Sequence, residues 1–171
     1  MAGGAYDVEA WHELFIAAAG AAAALSGLIF VAVSINLREI LAEEKKVGSS
    51  YLTGRALESL AALLVILGIS IVGLDPVISR PFFAVVIILF AAGSAISPAR
   101  SVLAYRQSKI KPVAFDLRLV LAVSLVAAYA IAAITLLAQG GGGLHWLPVG
   151  FILATAIAAS NAWILLVEVL R

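Results

Sequence analysis

Apolar positions along the 171 residues gather into long, nearly unbroken blocks, with polar residues confined to the short stretches between them. Roughly 20 apolar residues carry a helix across the ~30 Å hydrocarbon layer, whereas barrel strands are about half that length and alternate in polarity. Five blocks meet the helical requirement, at about 14–37, 57–74, 82–99, 119–138 and 147–167. The pattern therefore predicts an all-α integral membrane bundle of five transmembrane helices, forming one domain over residues 1–171. Asp75-Pro76 and Arg80-Pro81 mark a tight hairpin between the second and third blocks, and Gly140 to Gly143 a flexible turn between the fourth and fifth. Glu39 to Gly54 reads as the one sizeable loop, solvated because Glu43, Glu44, Lys45 and Lys46 form a mixed charge run.

Composition agrees. The chain is 64% hydrophobic and 12% charged, against about half and a quarter for a soluble domain. It has no cysteine, which excludes disulfides, thiolate metal sites and cysteine nucleophiles.

Charge placement sets the expected direction. Alternating the five spans puts Arg38, Lys45, Lys46, Arg55, Arg100, Arg106, Lys109, Lys111, Arg118 and Arg171 on one side of the membrane, and only Arg80 on the other. Lysine and arginine mark the cytoplasmic side, so the N-terminus is expected outside and the C-terminus in the cytoplasm. The acidic start ahead of a long apolar run argues against a cleavable signal peptide. Trp11, His12, His145 and Trp146 fall at the outer boundary, where amphipathic rings favour headgroup level.

Small residues let membrane helices approach closely. The first span carries a seam of them, Ala17, Gly20, Ala24, Gly27, Val31 and Ser34, spaced alternately by three and four for left-handed packing against a neighbour. The second has Gly54, Glu58, Ala61, Val65 and Gly68 at the same rhythm, and the fifth places Ala154, Asn161 and Glu168 on one face. Sorted by depth, Ser26, Ser94, Tyr129 and Asn161 stand near mid-membrane. Asn36, Arg55, Glu58 and Glu168 stand toward the cytoplasmic boundary. No ionisable residue falls near the middle of a span, which weakens the case for ion-coupled active transport.

The stretch GAAAALSGLIFVAVSINL from Gly20 to Leu37 resembles a group of small bacterial multi-pass inner-membrane proteins with no known activity. Gly54, Arg55, Ala56 and Glu58 look like the same group, as do Trp163, Leu165, Leu166, Val167 and Glu168. The likeness covers about a third of the chain and implies an inner-membrane bundle without implying a reaction. It singles out Asn36, Arg55, Glu58 and Glu168 as the polar members of the matching stretches. They read first as a salt-bridged clasp of three helix ends, and alternatively as a cytoplasmic gate or ligand vestibule.

Catalytic chemistry is sparse. The chain has no GxSxG, HExxH or Walker motif, so it reads as a non-enzyme without a cofactor. His12 and His145, with Asp7, Glu9 and Glu13, would form a divalent-metal set only if the first and fifth spans adjoin, and interfacial anchoring is the simpler role. The basic residues are few and lie against the membrane, which leaves nucleic acid without support and anionic lipid as their partner. Two functions remain: a homo-oligomeric pore or passive pathway for ions or small solutes, and an accessory or assembly subunit bound to another membrane protein. Polar faces converging on a symmetry axis would mark the pore; polar groups satisfied within one protomer would mark the accessory subunit.

Overall fold

In the structure, a computed structural model, residues 4–47, 51–96, 99 and 113–169 are described, without the side chains at 43, 46–47, 51, 113–118 and 164–169. The described elements are helical throughout. They are α1 (His12–Ile35), α2 (Leu37–Val47), α3 (Tyr51–Gly73), α4 (Arg80–Ser94), α5 (Val113–Ala138) and α6 (Trp146–Val169). Single 3₁₀ turns stand at Gly4–Tyr6, Glu9–Trp11 and Gly143–His145.

Among the described residues, four stretches are long and apolar enough to cross a membrane: Glu9–Ile35, Leu52–Gly73, Leu119–Ala138 and Gly143–Trp163. The third apolar block is helical over the 15 residues Arg80–Ser94, about 22 Å at the α-helical rise. Ala99 N–H still bonds Ala95 C=O at 3.0 Å beyond it. The block's C-terminal part, residues 97 and 98, lies outside the described residues. Pro81 sits in the first turn of α4, where a missing N–H costs nothing.

Helices α3, α4, α5 and α6 close a ring of neighbours, each packed on the next, and α1 lies outside it against α3. Their shared interior is filled by Leu63, Ile69, Phe83, Ile87, Tyr129, Leu136 and Leu147, all essentially inaccessible. Tyr129 reaches this depth because Gly150 on α6 has no side chain; a Cβ there would run into the ring.

One end of the bundle is sealed by the N-terminal turns. Ala5, Val8 and Leu144 are buried there, Gly142 N–H reaches the Tyr6 hydroxyl at 3.4 Å, and Gly143, at φ +55°, lies directly under the Ala5 carbonyl. Phe15 of α1 fills the space beside Gly73 at the end of α3. The start of α1, the end of α3, the end of α5 and the start of α6 therefore meet at this glycine-turn end.

The segment expected to be a solvated loop is instead largely α2. Its Leu, Ala, Glu and Lys residues are strong helix formers, and tertiary contacts hold it. Ile40 packs with Leu52, Ala56 and Val33. Glu44 accepts from Thr53 N–H at 2.7 Å and from the Thr53 hydroxyl at 3.0 Å, satisfying a first-turn donor of α3 with an anion at a helix N-terminus. Asn36 makes the bend between α1 and α2.

Candidate functional site

Among the described residues, three of the four buried polar or charged side chains, Arg55, Ser59 and Asn161, lie at the α3–α6 interface. Helix α3 offers it Arg55, Ser59, Ala62, Ile66 and Ile69, spaced alternately by four and three and all buried. Helix α6 answers with Leu147, Ala154, Ala158 and Asn161, also buried. Small residues dominate the α6 stripe, so the two backbones come close. The Ser59 hydroxyl is shared between Arg55 C=O on its own helix, at 3.1 Å, and Ala158 C=O across the interface, at 3.3 Å.

At the α2 end of this interface Asn161, 2% exposed, stands between a cation and an anion. Its Oδ1 accepts from Arg55 Nη1 at 3.0 Å, and its Nδ2 donates to Glu58 Oε2 at 2.9 Å. The two ends of one amide thus meet partners of matching sign, and hydrogen bonds to charged groups are about twice as strong as neutral ones. Glu58 and Asn161 each stand fifteen residues from the glycine-turn end of their helices, about 22 Å along the axis. Depth counted along each span places Asn161 near mid-membrane and Glu58 at the boundary; the structure joins them at one level.

Behind Glu58 lies a small cavity of about 100 Å³, walled by Ala61, Val65, Gly93, Ser94, Ala122 and Ile157 among others. That is room for about three waters at liquid density. The Ser94 hydroxyl on its wall donates to Phe90 C=O at 2.9 Å.

The other residues singled out by sequence lie elsewhere. Asn36 serves its own helix, donating from Nδ2 to Ala32 C=O at 2.8 Å, and stands apart from the Arg55–Asn161–Glu58 chain. The Glu168 side chain lies outside the described residues. Ser26 is half-buried, and its Oγ has no hydrogen-bond partner among them. Gly20, Ala24, Gly27 and Ser34 are all exposed, on the side of α1 opposite Phe15, Ala18 and Ala22. Nothing lies within 4 Å of a Cβ built at Gly20 or Gly27, and the Ser34 hydroxyl donates to Phe30 C=O at 2.7 Å. The first-span seam therefore faces away from the bundle. The second-span rhythm of Glu58, Ala61, Val65 and Gly68 looks toward α4, where Phe90 lies over Gly68.

Two features escaped the sequence reading. The α3 stripe facing α6 is set one residue on from the seam noted there, and its signal was the 4-3-4-3 spacing from Arg55 to Ile69. Tyr129 and Ser70 are fully buried, with hydroxyls unpartnered among the described residues; depth counting alone does not reveal that.

At the glycine-turn end Trp11 meets His145 edge to face, with ring centroids 4.8 Å apart. The Trp11 indole N–H donates to Gly4 C=O at 2.7 Å, and that of Trp146 to Gly141 C=O at 3.0 Å. The 3₁₀ turns ahead of α1 and α6 meet here, yet His145 lies against an indole, and no three His, Asp or Glu side chains gather as a metal set among the described residues.

No family model, no curated protein and no solved structure matches the chain. The site's own chemistry carries the functional reading: cation, amide and anion in a row, holding two helices in register.

Proposed function

We propose that the protein is a non-transporting, non-catalytic accessory or assembly subunit of the bacterial inner membrane, crossing it five times with the N-terminus outside. The observation that carries the reading is where the polar groups end. Arg55, Asn161 and Glu58 bond one another inside one protomer. The hydroxyls of Ser34, Ser94, Thr135 and Thr155 bond carbonyls of their own helices. The outward faces are apolar, with Leu28, Phe30, Leu57, Leu89, Ile134 and Ile152 more than half exposed. A homo-oligomeric pore would have to be lined by those faces, since large side chains fill the protomer's interior and the N-terminal turns cover one end. The outward small-residue seam of α1 offers a partner helix close approach instead.

Chain parity supports the fifth crossing. Helices α3 and α5 both end at the glycine-turn end, so the chain must return between them, and α4 with its extension toward Ala99 is the segment that does so. The basic asymmetry supports the direction, and the likeness of three stretches to small bacterial inner-membrane proteins supports the compartment.

Vesicles carrying folded, oligomer-competent protein should pass ions and small solutes no faster than empty vesicles. In the cysteine-free chain, a cysteine placed at Ala24 should cross-link in native membranes to a second polypeptide, and one placed at Leu57 should not. Flux that scales with the amount of folded protein would overturn the reading in favour of the pore.

A further inference from the structure

Helix α1 leans on α3 and stands off α6, leaving a lengthwise groove of about 440 Å³. Its floor is Leu63 and Ile66 of α3; Ala21 and Leu25 form one wall, and Ile152 and Ala156 the other. Thr155 at its edge donates its hydroxyl to Phe151 C=O at 2.8 Å, so the lining presents no competing donor. The groove runs from about 8 to about 20 Å from the glycine-turn end, by the α-helical rise, and so lies in the hydrocarbon layer.

We infer that this groove holds one acyl chain of a glycerophospholipid whose phosphate sits at the α2 end. Size selects the occupant. Over the groove's length of about 12 Å a helix about 10 Å across fills about 940 Å³, about twice the space present, whereas a single hydrocarbon tail is slender enough to lie along Ala21 and Ala156. Charge selects the leaflet. The glycine-turn end carries Asp7, Glu9 and Glu13, with Arg80 across the bundle. At the other end α2 touches α1, α3 and α6 and so lies beneath the groove. Among its described side chains Arg38 and Lys45 are exposed beside Glu39, while Glu44 is held on Thr53. Trp163, 67% exposed on α6, stands at the depth where indoles meet headgroups. This inference stands apart from the choice between accessory subunit and pore.

The test uses the full chain in micelles supplemented with phosphatidylglycerol. Native mass spectrometry should find one phospholipid held per chain. Ala21→Leu and Ala156→Leu fill the groove and should weaken retention about tenfold, the worth of roughly two buried methylenes, while Ala23→Leu on the opposite face of α1 should leave it unchanged. Arg38→Gln with Lys45→Gln should weaken it too. A measurement on the unaltered chain guards against misfolded variants: phosphatidylglycerol bearing a photoactivatable group in its tail should mark residues 18–25 and 152–159 above all. Adducts spread evenly over Leu89, Ile134 and the other exposed faces would overturn the inference. So would groove-filling variants that lose a second copy of the chain while keeping their lipid.

Discussion

Asn161 shows how much one amide does in this interior. It bonds both Arg55 and Glu58, at 3.0 and 2.9 Å, and removing a member of such a chain leaves the others poorly solvated. Stranding a buried charge costs about 3–5 kcal/mol, whereas an exposed lysine contributes under about 1 kcal/mol. Arg55→Ala should therefore lower stability far more than Lys45→Ala in denaturant titrations of the micelle-bound protein, and adding Glu58→Gln should restore part of the loss. A double-mutant cycle joining Arg55 and Asn161 should return a coupling of about 0.5–3 kcal/mol, as directly bonded residues do. Additive effects would mean that the amide does not link them.

Among the helices, glycine matters where another side chain occupies its space. Gly150→Ala pushes into the Tyr129 ring and should cost about 1–3 kcal/mol, the usual range for overpacking. Gly27→Ala points into open space and should stay within about ±0.5 kcal/mol in the isolated protomer; any larger effect in native membranes would report what lies against α1. Helix α2 depends on its link to α3. Glu44→Gln weakens the contact with the first turn of α3 and should cost about 1 kcal/mol, as lost N-terminal caps do, with faster hydrogen exchange at Thr53 as its local signature.

For the whole molecule, the basic asymmetry makes a direct prediction. A reporter active only in the cytoplasm should give signal when fused at Arg171 and none when inserted within Gly140 to Gly143. The reverse pattern would overturn both the direction and the leaflet assigned to the lipid phosphate. An α4 that failed to cross would place the two sites on a different footing, because α5 would then have to start at the glycine-turn end, where the structure has it finish beside Gly141 and Tyr6.

The sequence by itself determined the all-helical class, the positions of four long apolar helices and the Pro- and Gly-marked turns beside them, because helix length against bilayer thickness and the punctuation of Pro and Gly are local properties. It also held Arg55, Glu58 and Asn161 as the polar residues worth locating. Which face of each helix looks inward was decided only by the tertiary structure. A helix apolar all round carries no amphipathic stripe to separate core from lipid, and between membrane helices small-residue seams serve inner and outer contacts alike. Hence Gly20, Ala24 and Gly27 face outward while Arg55, Ser59 and Ala62 face α6, although both sets share the same spacing. Asn161 joined Arg55 and Glu58 for a related reason: depth counted along separate spans ignores how far one antiparallel helix is shifted against the next, and the close packing of Ala154 and Ala158 on α3 sets that shift.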